Sequence, residues 1–219
     1  MIFGAWKFLP MLLVSYGVGL AIEIGFAIYN KHEVNEGYLV SGMLIPLIMP
    51  IDFPLWMLAI SVIFAVFIGK EAFGGTGMNI FNPALIARAF AFFSYAPQMS
   101  GDKVWVADAS TVDAISGETI LGMLAANGDK AEALISGANN ASWSVMDMVT
   151  GYIPGSVGET SALAIILGAI LLISTGVASW RIMLGSVIGC AAMGLIFNAI
   201  GYNSLMSFPW WKHMLVGSF

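Results

Sequence analysis

The chain has 219 residues, of which 59% are hydrophobic and only 10% are charged, whereas about 25% of residues are charged in an ordinary soluble domain. Its net charge of −5 and its eight scattered Lys and Arg residues exclude a basic nucleic-acid-binding surface. The single cysteine, Cys190, excludes a disulfide framework and a cysteine-built metal site within the chain, and we expect it to be buried in an apolar interior. Long uncharged apolar runs predict an all-α, polytopic transmembrane helical bundle.

The first apolar run covers residues 8–30, which is long enough because a transmembrane helix needs about 20 mostly apolar residues. Its glycines predict close packing against a neighbouring helix: Gly17, Gly19 and Gly25. Glu23 lies inside the run, about two helical turns before Lys31. An ionisable group at that depth usually has a function, and the alternative is a carboxylate close to the interface.

The next two apolar segments are short or interrupted by proline. Residues 38–51 are too few to span a membrane, and residues 54–69 follow them. Pro46, Pro50 and Pro54 break helical hydrogen bonding or restrict the residue before them. We therefore predict a broken helix here, a feature that points to binding sites in membrane transporters.

A glycine-rich stretch precedes a helix that we predict over residues 78–96. Its glycines do not follow the G-x-G-x-x-G spacing and no βαβ pattern surrounds them, so a dinucleotide-binding turn is excluded. Asn79, Asn82 and Arg88 bring polar groups into an apolar run, where such groups are costly and usually functional. One of the two asparagines could instead cap the helix, because Asn is a favoured N-cap and Pro83 suits the first helical position.

Residues 97–158 are more polar and contain seven of the thirteen acidic residues. A segment of this length is typical of a functional loop, and its shortage of Lys and Arg is compatible with the non-cytoplasmic side. We predict one long extramembrane loop with short helices over 121–126 and 143–150, within a single transmembrane domain covering residues 1–219. The turn Ser116-Gly-Glu-Thr119 is, by its residues alone, an ordinary loop turn.

Two further uncharged runs cover residues 160–180 and 182–211 and are predicted to span the membrane. Glu159 precedes the first of them, where a negative charge favours the start of a helix. A last apolar run begins near Phe208 and stops within a few residues. We therefore expect the sequence to be part of a longer protein.

Five motifs are similar to those of a known family. They are His32-Glu-Val-Asn-Glu-Gly37, Phe73-Gly-Gly-Thr-Gly-Met-Asn-Ile-Phe-Asn-Pro-Ala-Leu85, Ser100-Gly-Asp-Lys-Val-Trp105, Pro154-Gly-Ser-Val-Gly-Glu-Thr-Ser161 and Ala178-Ser-Trp-Arg-Ile182. The chain as a whole resembles the NqrB family of membrane proteins, which belong to the sodium-translocating NADH:quinone reductases. The related RnfD proteins of the Rnf complex share several of these motifs, but the first motif fits the NqrB family better. That family is longer at both ends, so this sequence resembles its middle part.

The resemblance implies a covalently bound FMN. In the family, the threonine of an S-G-A-T motif carries FMN through a phosphoester bond, and the matching residue here is Thr119. Ser116 and Gly117 complete the motif, Asp113 precedes it, and Glu118 replaces the alanine of the family. The replacement places a negative charge beside the expected phosphate.

The resemblance also implies a riboflavin inside the membrane domain, near the two asparagines that match Asn79 and Asn82. Amide side chains suit the alternating donors and acceptors on the edge of a flavin, and we include Arg88 in this cofactor-binding set. An acidic residue matching Glu23 belongs to the sodium pathway of the family. A Gly-Gly pair linked to the quinone region reads Gly19-Leu20 here. No resident metal ion is expected.

The main hypothesis is a membrane electron-transfer subunit of a Na⁺-translocating NADH:quinone oxidoreductase in a bacterial inner membrane. The resemblance implies electron transfer from the FMN of a partner subunit to FMN on Thr119, then to riboflavin and finally to quinone. Expected partners are the other subunits of the complex, quinone, sodium ions, membrane lipid and a flavin transferase, but not nucleic acid. Two alternatives are the RnfD protein of an Rnf complex, which links ferredoxin to NAD, and a secondary transporter or channel without redox chemistry.

Overall fold

The computed structural model describes residues 5–31, 33, 36–99, 121–122, 145–153, 155–159 and 161–216. The elements formed by these residues are helices, which confirms the all-α class. Three of the described helices are long and apolar enough to cross a membrane: Trp6–Asn30, Leu55–Phe73 and Trp180–Ile200. The chain divides into two compact units, one of residues 1–105 and 156–158, the other of residues 106–155 and 159–219. The expectation of a single transmembrane domain stays a prediction.

In the first unit, α1 spans Ala5–Asn30 and confirms the first predicted span. Its buried residues recur every four positions, which places them on one narrow face of the helix: Met11, Ser15, Gly19, Glu23 and Ala27. Glu23 therefore belongs to the packed face of α1 rather than to its surface. Of the three glycines expected to pack closely, only Gly19 does so among the described residues, because a Cβ atom on Gly17 or Gly25 would meet no atom of a neighbouring helix within 4 Å.

The broken segment is confirmed. Helix α2 covers only Tyr38–Leu47 and contains Pro46, and α3 covers Leu55–Phe67 after Pro54, whose extended backbone begins the new helix. Beyond α3, a short 3-10 turn at Glu71–Phe73 extends the apolar span to Phe73. The unit packs around a core from α1 to α4 formed by Met11, Tyr38, Ile45, Met49, Phe53, Leu58, Val62, Ala65, Val66, Ala84, Ala87 and Ala91.

The helix predicted over 78–96 begins later than expected. Helix α4 covers Pro83–Ser94 and a short α5 covers Ala96–Met99. The residues before α4 are not helical because Gly74, Gly75 and Gly77 have positive φ angles, a conformation that glycine adopts without steric cost. The chain therefore turns sharply between α3 and α4.

In the second unit, α6 covers Val145–Thr150, inside the short helix predicted over 143–150. Of the short helix predicted over 121–126, only residues 121–122 are described, and they are helical. The rest of the polar loop up to residue 144 lies outside the described residues. This includes Asp113, Ser116, Gly117 and Thr119.

The two later spans differ from the sequence prediction. Helix α7 covers only Ala162–Ser174, about 20 Å long, whereas a bilayer core is about 30 Å thick. The helix stops because Gly176 has a positive φ of 72°. Helix α8 covers Trp180–Ile200, and a left-handed Gly201 ends it, so the run predicted as far as residue 211 continues as α9, Ser204–Ser207, and α10, Trp210–Val216.

The lone cysteine does not lie in a packed interior. Cys190 is exposed, which corrects the expectation that it is buried. The reason is that α8 has no buried residue among the described parts of the chain. Its outward side chains are apolar, as expected of a helix that faces lipid or a further helix.

Candidate functional site

A buried ion pair joins α1 to the segment that follows α3. The Nζ atom of Lys70 donates a hydrogen bond to Oε1 of Glu23, and the two side chains are only 3% and 4% exposed. Their positions are 47 residues apart in sequence. Because an isolated charge is very costly in an apolar medium, each residue accounts for the burial of the other.

The sequence predicts a functional Glu23 but does not by itself identify the partner of that residue. By sequence, Lys70 is simply the charge at the end of an apolar stretch. A signal was nevertheless present, since this lone basic residue ends an apolar run and the first apolar run contains a lone acidic residue. Buried charges are usually paired, so Lys70 was one candidate partner, but Lys7 and Lys31 also border apolar runs and the sequence could not choose among the three.

The carboxylate of Glu23 is only partly satisfied. Its Oε2 atom is buried and has no hydrogen-bond partner among the described residues. A buried polar atom without a partner is uncommon and requires an explanation. In this arrangement, Oε2 is a buried acceptor that no described group uses, beside the ammonium group that holds Oε1.

Tyr38 and Glu71 complete the surroundings of the pair. The ring centroid of Tyr38 lies 5.6 Å from Nζ of Lys70, a distance at which a cation is attracted to an aromatic face. Glu71, the next residue in the chain, is also buried, and Gly75 approaches its carboxylate. The net charge of this cluster is −1 when both carboxylates, those of Glu23 and Glu71, and the Lys70 ammonium are ionised.

The residues expected in the quinone region lie one helical turn before Glu23. Gly19 is buried against Tyr38, and Leu20 is half-buried and packs on the core. The sequence predicted that Gly19 packs against a neighbouring helix, and the structure identifies its contact as Tyr38 of α2. The part of either residue in quinone binding stays a prediction.

A separate apolar cavity of about 430 Å³ opens beside α1. Its lining comes from α1 and the end of α3: Ile22, Gly25, Phe26, Tyr29 and Phe67. The rings of Phe26 and Phe67 meet edge to face, with centroids 5.3 Å apart. The residues of α1 that line the cavity differ from the buried residues Gly19, Glu23 and Ala27, so the cavity and Glu23 belong to different faces of the helix.

The two asparagines of the glycine-rich motif bond to nearby backbone. Oδ1 of Asn79 accepts from the amide of Gly77 at 3.3 Å, and its Nδ2 donates to the carbonyl oxygen of Phe81 at 3.0 Å. Oδ1 of Asn82 accepts from the amide of Ala84 at 2.9 Å, so Asn82 is the N-cap of α4. Asn82 is therefore the asparagine that caps the helix, as one alternative predicted. The cap uses only its Oδ1 atom and not its Nδ2 group.

Around Asn79 the surface is apolar and open. Met78, Ile80 and Phe81 are 70%, 66% and 61% exposed, and Asn79 itself is half-buried. Arg88 is half-buried on α4. The structure thus brings amide groups and exposed apolar side chains together at the turn before α4.

These features define the class of protein as an α-helical, multi-pass membrane protein with a buried ionisable pair between its helices. The whole chain, residues 1–219, matches the family described as NQR2, RnfD, RnfE. The chain belongs to this family.

Curated relatives agree with the family assignment. The chain is 47% identical over 220 residues to the B subunit of the Na(+)-translocating NADH-quinone reductase of Chromohalobacter salexigens, a match that covers 100% of this chain and 51% of the relative. It is 49% identical over 218 residues to the B subunit from Stutzerimonas stutzeri, covering 99% of this chain and 52% of the relative. It is 45% identical over 221 residues to the B subunit from Yersinia pestis, a match that covers 100% of this chain and 52% of the relative. The chain thus spans about half the length of these relatives.

Proposed function

We propose that the chain forms part of a membrane electron-transfer subunit of a Na⁺-translocating NADH:quinone oxidoreductase. The observation that carries this proposal is the similarity along the whole chain to relatives that bear that name, at 47% and 49% identity for two of them. The multi-pass helical fold and the buried pair of Glu23 and Lys70 support it. Ionisable groups held inside a membrane commonly mark ion pathways.

The proposal includes a covalent FMN on Thr119. Its support is the motif Ser116-Gly117-Glu118-Thr119 in a polar loop, where a flavin transferase could reach the hydroxyl. Asp113 precedes this motif. When bound, the flavin supplies an electron acceptor and donor that the side chains of the chain lack.

The proposal also includes a riboflavin beside Asn79 and Asn82. The residues fit this group in two respects: the Nδ2 group of Asn82 is not used by the helix cap, and exposed apolar side chains adjoin Asn79. A flavin needs both features, because its ring is broad and apolar whereas one edge carries donors and acceptors. Arg88 would add a positive charge from α4.

Sodium coupling is the third part of the proposal, with Glu23 as the residue that receives the ion. A hard cation prefers oxygen ligands, and Oε2 of Glu23 is a buried oxygen without another partner among the described residues. The quinone would react near Gly19 and Leu20, one turn away on the same helix. Other subunits of the complex and membrane lipid would surround the helices.

The decisive experiment is flavin fluorescence after a denaturing gel. The full-length protein, made in bacterial cells that also produce the flavin transferase, should give a fluorescent band under ultraviolet light. Thr119→Ala should abolish the band, whereas Thr111→Ala, a matched threonine earlier in the same loop, should retain it. A dark band from the wild-type protein would favour a transporter or channel without redox chemistry.

A second candidate follows from the family description, which includes RnfD. An RnfD protein would also carry flavin, so fluorescence cannot separate the two. The electron donor can: membranes containing the complex should reduce quinone with NADH. Activity that requires reduced ferredoxin together with NAD would assign the chain to the Rnf branch instead.

A further inference from the structure

We propose that Lys70 is a tethered cation that competes with sodium for the carboxylate of Glu23. Between sodium ions, the Lys70 ammonium occupies Glu23, and a sodium ion binds as the ammonium withdraws. This inference rests on the sodium-coupled function proposed above and adds a specificity-determining residue to it. Lys70 belongs to none of the residue sets that the family resemblance implies.

The geometry of the pair supports competition rather than simple anchoring. Lys70 engages Oε1 of Glu23, whereas Oε2 is buried without a partner among the described residues. A buried ion pair stabilises a fold only if its remaining polar atoms are satisfied as well. The second oxygen is therefore a buried acceptor that a second cation can contact before the ammonium leaves.

The charges of the cluster point the same way. Glu23, Lys70 and Glu71 together carry a net charge of −1 when ionised, and all three are buried. One sodium ion bound to Glu23 would cancel this charge when the displaced ammonium stays beside Glu71. Because uncompensated charge is costly in a low-dielectric interior, a monovalent cation matches the site better than a divalent one.

Two groups near Lys70 can stabilise its ammonium after sodium displaces it from Glu23. Nζ of Lys70 already lies 5.6 Å from the ring centroid of Tyr38, and Glu71 is its neighbour in the chain. Lys70 also follows the end of α3, just before the 3-10 turn at Glu71–Phe73. Because the lysine stem is long and flexible, the ammonium can swing away without unwinding a helix.

The test is the sodium concentration that gives half-maximal quinone reduction, measured in the assembled complex with the full-length protein. Lys70→Met removes the competitor, so the half-saturating sodium concentration should fall about tenfold. Lys70→Arg keeps the charge, but its guanidinium can bond both carboxylate oxygens and is harder to displace. That variant should raise the half-saturating concentration about tenfold.

Opposite shifts in the two variants are the signature, because a purely structural anchor would not move sodium affinity in opposite directions. The control is Lys7→Met, which removes the exposed pair of Lys7 and Asp52, 2.6 Å apart, and should change nothing. Equal or same-direction shifts in both Lys70 variants would overturn the inference. If Lys70→Met does not assemble, Lys70→Arg decides alone: a rise supports the inference, and an unchanged or lower value overturns it.

The same assay separates this inference from the proposed function. A wild-type complex that reduces quinone without any sodium stimulation overturns sodium coupling and the role of Lys70 together. Sodium stimulation that responds to Glu23→Gln but not to the Lys70 variants overturns only the role of Lys70.

Discussion

The ring of Tyr38 lies against Gly19 so closely that a methyl group on Gly19 would overlap the ring. The hydroxyl of Tyr38 donates to the carbonyl oxygen of Ser15 at 2.8 Å, and Oγ of Ser15 donates to the carbonyl oxygen of Gly42 at 2.9 Å. These contacts fasten α2 to the same face of α1 that carries Glu23. Because the Tyr38 ring also lies beside the Lys70 ammonium, the packing around the ion pair depends on a glycine one turn before Glu23.

Gly19→Ala should destabilise the protein, because the new methyl group would overlap a tyrosine ring that is fully buried. Overpacking of this kind costs about 1–3 kcal/mol or more. The measurement is the thermal unfolding midpoint of the detergent-solubilised full-length protein. Gly17→Ala is the matched control, since its added Cβ would have no described atom within 4 Å apart from its chain neighbours and the backbone of its own helix. Equal midpoints for the two variants would contradict close packing of Tyr38 against Gly19.

Tyr38→Phe should lower the free energy of unfolding by about 1 kcal/mol, because it removes a buried hydrogen bond to the carbonyl oxygen of Ser15. Tyr16→Phe removes a similar bond to the carbonyl oxygen of Leu39, 2.7 Å long but exposed. We expect a smaller loss there, since the oxygen left behind is less buried. Thermal unfolding of both variants under identical conditions checks the order.

Glu23→Gln should raise the sodium concentration needed for half-maximal quinone reduction, because it removes the negative charge from the proposed entry ligand. Glu23→Asp should be milder, since it keeps the charge and shortens the side chain by one methylene. Alanine is a poorer choice because it removes the hydrogen-bond acceptor of the buried Lys70 ammonium as well as the charge, whereas the amide oxygen of Gln can still accept that hydrogen bond.

The control for Glu23→Gln is Asp52→Asn, in the exposed pair with Lys7. The Thr119 flavin should remain in both variants, since the substitutions lie far from that residue in sequence. An unchanged sodium dependence in Glu23→Gln, in a complex that assembles normally, would return Glu23 to a structural role.

Asn82→Leu should deplete non-covalent flavin, but it also removes the N-cap of α4, so a loss alone would be ambiguous. Asn82→Asp separates the two roles, because Asp caps a helix as well as Asn does but offers no amide donor. We expect both variants to lose riboflavin and only Asn82→Leu to lose stability. Asn79→Leu should deplete riboflavin as well.

The measurement is the flavin released by acid from purified protein, with the covalent label counted separately. Asn203→Leu is the control, since Oδ1 of Asn203 also accepts from a nearby backbone amide, that of Met206, at 2.8 Å. Full riboflavin content in both Asn82→Asp and Asn79→Leu would remove these residues from the proposed site.

Asn198→Leu should destabilise the second unit. Its Nδ2 group donates to the carbonyl oxygens of Met206 and Phe208, both at 2.6 Å, and its Oδ1 accepts from the amide of Trp210 at 3.0 Å. Losing three such bonds should lower the free energy of unfolding by about 2–4 kcal/mol. Ser186→Ala on the same helix removes only an exposed intrahelical bond and should have little effect in the same thermal assay.

Much of the fold follows from local sequence alone. Helix α1 matches its apolar run, α2 is short where Pro46 and Pro50 predict it, and Asn82 caps α4 as its place before Pro83 allows. These features depend on the length of an apolar run, on the backbone restrictions of proline and on a hydrogen bond from the backbone to the nearby Asn82 side chain. Each is set by residues within a few positions along the chain.

Several predictions from the sequence were wrong, and two of them illustrate the physical reasons. Helix α7 ends at Ser174 although the apolar run continues. The reason is that Gly176 adopts a left-handed backbone conformation, which ends a helix even where the side chains remain apolar. Cys190 is exposed, because the burial of an apolar residue depends on which helices pack against it.

Tertiary structure alone decided the partner of Glu23. The sequence established that a carboxylate lies within a long apolar run predicted to span the membrane, and that a glycine precedes it by four residues. It did not establish that Lys70, 47 residues later, meets that carboxylate, or that Tyr38 lies against that glycine. Such contacts depend on the packing of α1, α2 and the end of α3, which bring together residues that no local pattern relates.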